Sequence, residues 1–256
     1  MNIERLSKTD LVAHGDKLGI ETKNKQKAEL IKAIRNLERQ QIDDAILNGF
    51  AQDLLKEKIR LLADEYSSSL NKRIAERRHE MQADNNDHYL IYRVLGISNS
   101  EGKLIDEYQN TGRFLYKYAG SFLEEAATQC LFFANHDGGK ITIPNNQGSR
   151  PKTFEIDFLN GNDAVELKWR DATTDGDHIT KEHARIRAIE SQGYKPIRVM
   201  FYKPQREQAK RIQATLATLY NGVGGEYYAG EDAWEYLAEV TGYHLKTILT
   251  DIADAN

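Results

Sequence analysis

The chain has 256 residues, 40% of them apolar and 29% charged, with a formal charge of −4, enough for one sizeable core and a small appendage. No run approaches the length of a membrane span, and Met1-Asn2-Ile3-Glu4 does not begin a secretory signal. A single cysteine, Cys130, excludes a disulfide framework and a cysteine-based zinc site, so a cytoplasmic protein is expected.

Residues 1–38 read as an independent helical module. Ser7 or Thr9 can cap a first helix carrying Leu6, Leu11 and Val12, which Gly15 and Gly19 loosen and end. A second amphipathic helix follows with Ala28, Leu30, Ile31, Ile34 and Leu37. The string LSKTDLVAHGDKLGIETKNKQKAELIKAI is similar to the SAP and Rho N-terminal helix-extended loop-helix modules, and the resemblance implies binding to nucleic-acid backbone. Lys25 and Lys27, with Lys23, Lys32 and Arg35, cluster around the start of the second helix, where a helix N-terminus and ammonium groups can seat a phosphate. A two-helix protein-binding tag is the plainer alternative.

Residues 39–84 read as one long helical connector, with Leu55, Ile59, Leu62, Tyr66, Leu70 and Ile74 at helical spacing and no proline. Asp84-Asn85-Asn86-Asp87 marks a boundary, and 85–256 reads as a single α/β domain. Tyr89 to Leu95 suits a strand or a short helix. Phe114 to Phe133 is expected as a helix with Leu115, Ala119, Phe122, Ala126, Cys130 and Phe133 on one stripe, which makes the cysteine a small core residue. His136 to Lys152 reads as a loop. Its Gly138-Gly139-Lys140 lacks the spacing of a Walker loop, so no nucleotide cofactor is expected. Arg150 and Lys152, just before the next strand, can touch phosphates or simply lie solvated.

The stretch TFEIDFLNGNDAVELKW, Thr153 to Trp169, organises the rest. It reads as two strands joined at Asn160-Gly161, a pair suited to a type I′ turn with positive φ at both central residues. In that register Asp157 faces Ala164 and Glu155 faces Glu166. Alternation puts Phe154, Ile156, Phe158, Val165, Leu167 and Trp169 on one face and Asp157, Glu166 and Lys168 on the other. Two acids and a lysine on neighbouring strands are what metal-dependent phosphodiester hydrolysis needs. Carboxylate oxygens suit Mg²⁺, the ion activates water, and a lysine can orient that water or stabilise developing charge. A D…E-x-K with a free gap arises about once by chance in a chain this long and charged, so a solvated surface hairpin is the bland reading.

Asp157 with Glu166-Leu167-Lys168 resembles the PD-(D/E)xK nucleases, although Ile156 stands where that family often has proline. The resemblance implies a restriction-endonuclease-like mixed sheet flanked by helices, Asp157 and Glu166 as metal ligands, and Lys168 as the catalytic lysine. It also implies a further glutamate from the preceding helix. GSFLEEAATQCL places Glu124 there, and wheel geometry does not separate Glu124 from Glu125.

Beyond the hairpin, a helix from about Ile179 to Gln192, a buried strand from Lys195 to Tyr202, and a helix from Pro204 to Gly222 are expected, the order that this nuclease fold takes after its motif. Arg170, Asp177, His178 and Lys181, among Asp171, Asp175, His183, Arg185 and Arg187, form a polar group beside the site, suited to reading base edges. His178 and His183 are five apart, off a common helical face, which argues against zinc. Residues 221–256 carry one basic and seven acidic side chains and an amphipathic helix around Trp234, Leu237 and Val240, suited to core or dimer packing rather than to DNA. VELKWRDATTDGDHITKEHARI, GYKPIRVMFYKPQREQA and GGEYYAGEDAWEYL are similar to ApaLI-type restriction endonucleases. That resemblance implies a type II enzyme cutting double-stranded DNA at GTGCAC, with Mg²⁺, as a homodimer. A structure-specific repair nuclease or junction resolvase of the same fold, or a non-enzymatic SAP-type DNA- or RNA-binding protein, are the alternatives.

Overall fold

In a computed structural model the described residues are 3, 6–146, 148, 150–170 and 177–255, with the side chains of 177 and 178 outside the description. The chain divides into two compact units, Met1–Ile59 with Glu124–Asn256, and Arg60–Leu123.

The first unit opens with α1 (Lys8–Lys17) and α2 (Lys27–Leu47). Ser7 caps α1 by accepting the Asp10 N–H at 3.1 Å. Leu11, Leu30 and Ile34 bury against one another and against Leu6, Val12 and Ile31, as the apolar spacing predicts. Glu29 reaches back to the Gln26 N–H at 2.6 Å, so a carboxylate already meets one open donor at the start of α2. The connector is not one helix. The chain breaks at Asn48-Gly49, with Gly49 at φ +76°, and α3 (Ala51–Ala83) begins afresh. A helix can be stopped by a left-handed glycine as well as by proline.

In the second unit, α4 (Tyr89–Val94) settles the ambiguous segment as a helix. His88 and Tyr92 bind Asp106 at 3.0 and 2.9 Å. α5 (Asn99–Ala134), whose residues from Glu124 onward belong to the first unit, starts fifteen residues before the expected Phe114. Its buried stripe is Leu123, Ala126, Ala127, Cys130, Leu131 and Phe133, whereas Leu115 is exposed.

A five-stranded mixed sheet forms the centre of the first unit: β1 (Gly139–Pro144), β2 (Thr153–Asn160), β3 (Asp163–Arg170), β4 (Lys195–Tyr202) and β5 (Glu226–Ala229), in that spatial order. β1–β2 and β2–β3 are antiparallel, and β3–β4 and β4–β5 are parallel. β1 lies in the segment read as a loop, and β5 in the tail. Both are short edge strands with little alternation to betray them. The helices are α6 (Asp177–Ser191), α7 (Glu207–Gly222), α8 (Glu231–Thr241) and α9 (Leu245–Asp254), the last unforeseen.

The hairpin differs from expectation in two ways. Asn160 pairs with Asp163 and Leu159 with Ala164, so the turn is Gly161-Asn162. Gly161 alone of the two has positive φ, +60°, the pattern of a type II′ turn rather than type I′. Second, Gly139 faces Leu159 while Ile141 faces Ile156, so β2 carries one extra residue across Asp157-Phe158. This β-bulge breaks the expected alternation. Phe154 and Ile156 join one buried cluster with Ala164, Ala188 and Ile189, beneath α6, instead of sharing the face of Phe158 and Val165.

Candidate active site

The bulge sets where Asp157 points. β2–β3 pairing runs from Asn160 only to Phe158, and the next β3 amide, Leu167 N–H, is taken by Asp157 Oδ2 at 2.9 Å. The carboxylate thus substitutes for a ladder acceptor at the point where the two strands part. Glu166 and Lys168 follow on β3, and the parallel pairing Glu166–Arg198 and Lys168–Met200 holds that strand firmly against β4.

Lys168 is the hub. Its Nζ donates to the Leu167 carbonyl at 2.7 Å and lies 2.9 Å from Glu166 Oε1, 3.4 Å from Asp157 Oδ2 and 3.7 Å from Glu124 Oε1. Burial works against the ammonium, but Glu166, Asp157 and Glu124 outweigh it and raise its pKa, so it stays charged. Glu124, from α5, accepts the Trp169 backbone N–H, and burial raises its carboxyl pKa. The geometry therefore brings together Asp157, Glu166, Lys168 and, of the two adjacent glutamates, Glu124.

A second layer holds Glu166. Arg185 of α6 donates to Glu166 Oε1 and sits 3.8 Å from Glu182, its guanidinium 5.7 Å from the Phe154 ring. Glu182 in turn accepts from buried Arg198 at 3.0 Å and from the Tyr220 hydroxyl at 2.6 Å. Burial raises the Glu166 pKa most, Asp157 and Glu182 add to that, and Lys168 and Arg185 oppose it. Arg185, expected among base-reading residues, is instead packed onto the acidic motif.

Among the described residues no three His, Cys, Asp or Glu side chains stand ready to hold a metal ion alone, because an ammonium lies between the acids. The donor chemistry nevertheless fits a hard divalent cation. Asp157, Glu166 and the Leu167 carbonyl offer oxygen only. Glu166 Oε2 is buried and accepts no hydrogen bond from the described residues, an acceptor that calls for a partner. Asp157, Glu124, Glu166 and Glu182 set four carboxylates against the three cations Lys168, Arg185 and Arg198, leaving one negative charge in excess.

None of the expected DNA-contacting residues whose side chains are described is buried. Lys27, Arg150, Lys152, Arg170 and Lys181 are exposed, and Lys25 is half-buried. The side chains of Asp177 and His178 lie outside the described residues, as do Asp171 and Asp175. Lys140 pairs with Glu155. Sequence reasoning missed Glu182, Arg198 and Tyr220. The readable signal was an arginine inside the otherwise apolar run PIRVMF, which needs a buried counter-charge.

The family model of ApaLI-like restriction endonucleases matches residues 22–254. The chain belongs to that family. No curated protein and no solved structure matches it. Family membership makes the chain a restriction endonuclease, a nuclease whose substrate is DNA, and the matched span takes in the whole acidic cluster, Glu124 to Lys168.

Proposed function

We propose that the chain is a type II restriction endonuclease of the PD-(D/E)xK type, with Asp157, Glu166 and Lys168 as its catalytic residues and Mg²⁺ as its cofactor. The observation that carries the reading is the meeting of Lys168 Nζ with Asp157, Glu166 and Glu124 at the bulge of β2. Asp157, Glu166 and the Leu167 carbonyl would hold the ion, with Glu124 as a further ligand. A bound Mg²⁺ supplies positive charge against the scissile phosphate and makes water more acidic. Lys168 orients the attacking water or meets the charge that builds on the phosphoryl oxygens. Arg185 fixes the rotamer of Glu166.

Double-stranded DNA would be gripped by Lys25, Lys27, Arg150, Lys152, Arg170 and Lys181, with Asp177 and His178 available for base edges. In this reading residues 1–38 form a SAP-like tether, 39–84 a connector and 85–256 the nuclease domain. The target is the palindrome GTGCAC, cut by a homodimer whose two-fold axis matches that of the site. The apolar side chains exposed on α4 and α5, including Leu90, Val94, Leu95 and Tyr108, support a second copy as partner.

The test is digestion of a sequenced plasmid with Mg²⁺. Discrete fragments ending at GTGCAC are expected from the full chain. Asp157→Ala and Lys168→Ala should each lower cleavage by about 100-fold or more while DNA affinity changes little, because phosphate and base contacts lie elsewhere. Cleavage undiminished by either change would sink the site. Cutting of branched DNA alone would replace sequence recognition by structure recognition.

A further inference from the structure

Beside α7 the first unit contains a cavity of about 320 Å³ at the C-terminal ends of the parallel strands β4 and β5. Open α/β sheets bind ligands at such strand ends. Its walls are apolar, from Met200, Ala214, Ala217 and Ala229, and the Tyr227 ring adds an aromatic surface. Lys203, Lys210, Pro204 and the exposed Gln205 also line it.

One side chain there is only half satisfied. Gln213 is 6% exposed on the buried face of α7, between Ala209, Ile212 and Leu216. Its Oε1 accepts the Tyr227 hydroxyl at 2.7 Å, while its Nε2 is buried without a hydrogen-bond partner among the described residues. An apolar residue of the same size would fill this place at no such cost. A buried amide donor on an apolar cavity wall is a recognition element waiting for an acceptor.

The lysines narrow the ligand class. Lys203 lies 3.7 Å from Asp232 and Lys210 lies 3.0 Å from Glu207. Both pairs are solvent-exposed and therefore weak, so either ammonium can turn to an anion at little cost. Apolar walls with an aromatic ring, one amide donor at depth and two cations together suit a flat heterocycle with an acceptor edge joined to a phosphate. Inorganic phosphate would leave the walls unused, and a hydrocarbon would leave Gln213 unmet.

We propose that this cavity binds a single unpaired nucleotide, its base against Tyr227 with an acceptor at Gln213 Nε2 and its phosphate at Lys203 and Lys210. The location relates it to the site above. Lys168 pairs with Met200, and Met200 with Ala229, so the cavity lies one to two strands from the hub lysine, on the order of 5–10 Å. That distance is comparable with a few base steps along a strand. The nucleotide is therefore either one swung out of the substrate beside the cut, an assignment that rests on the nuclease reading, or a free nucleotide. A base that leaves the stack must be received by a pocket of this kind.

Two measurements on the full chain decide it. Calorimetry without Mg²⁺ is run with dAMP, dCMP, dGMP and dTMP in turn, on the native chain, on Gln213→Leu and on Ala217→Trp. At least one nucleotide should bind the native chain, at least 10-fold more weakly to Gln213→Leu and not at all to Ala217→Trp. In parallel, duplexes carrying 2-aminopurine at positions flanking the cut are bound in Ca²⁺. A fluorescence rise that is absent with Ala217→Trp assigns the occupant to the substrate strand, and nucleotide binding with silent duplexes assigns it to a free nucleotide. No heat from any of the four up to millimolar concentration, with silent duplexes, overturns the proposal, as do heats or fluorescence rises unchanged in both variants. Gln213→Leu keeps the volume of the buried side chain and guards against an unfolded Ala217→Trp protein. Because the calorimetry needs no cleavage, nucleotide binding by a chain that leaves plasmid intact would count against the nuclease reading alone.

Discussion

Arg198 is 0% exposed in the middle of a strand that is otherwise apolar, and it survives there because Glu182 and Tyr220 close around it. Removing the acid strands the cation. Glu182→Leu is expected to cost about 3–5 kcal/mol, read from urea unfolding, whereas an apolar pair at both positions should cost far less. The pH dependence follows from the same contacts. Burial pushes the Glu182 carboxyl up, but Arg198 and Arg185 more than offset this, so its folded pKa lies below the ordinary glutamate value. A lowered pKa means stability that is present above the unfolded value and lost as pH falls through the folded one. Thermal melts from pH 7 downward should therefore show a loss of stability beginning near pH 4.5, and Glu182→Gln should flatten that slope. At this scale the sequence was legible for the meeting of Asp157, Glu166 and Lys168, because their spacing reflects the strands that hold them. It was not legible for Arg185, whose partner lies nineteen positions away across a helix-strand contact that no local pattern encodes.

The elements tell a similar story with a different cause. β4, α6 and α7 fall close to their expected bounds, since a long apolar run and clear helical periodicity survive any tertiary context. β1 and β5 were missed because four to six residues on a sheet edge carry too little alternation to separate from loop. The displaced turn and the bulge were invisible for a deeper reason. Hairpin register is a contest between turn chemistry and pairing, and here the II′ geometry at Gly161 and the demands of β1 prevailed. Two glycines test this account. A Cβ on Gly161 meets no atom of the described residues within 4 Å, so Gly161→Ala should cost only the left-handed backbone, about 1–2 kcal/mol in chemical unfolding. A Cβ on Gly138 would stand 2.6 Å from the Leu159 carbonyl oxygen and 2.4 Å from the Phe158 ring, on the bulged strand itself. Gly138→Ala should therefore destabilise more than Gly161→Ala and also reduce cleavage, the two effects being separated by assaying well below the melting temperature.

For the whole molecule the question is what covers α4 and the first half of α5. Leu90, Ile91, Val94, Leu95, Tyr108 and Tyr116 are each more than half exposed, in a stretch where soluble monomers rarely gather so many. At roughly 50 Å² of apolar surface each, these side chains and their neighbours offer on the order of 400 Å², near the apolar share of a standard interface of about 800 Å² per partner. Sedimentation of the full chain should give a dimer, and Val94→Glu combined with Tyr108→Glu should give a monomer. The surplus residue in β2 reaches furthest of all. Deleting Asp157 would let β1 and β2 pair without interruption while Ile156 and Phe158 keep their present faces, and a tidier ladder resists heat better. The same deletion would take the acid out of the cluster around Lys168. Selection of libraries for heat tolerance alone should therefore accumulate shortened second strands among its survivors, sturdy proteins that no longer cut.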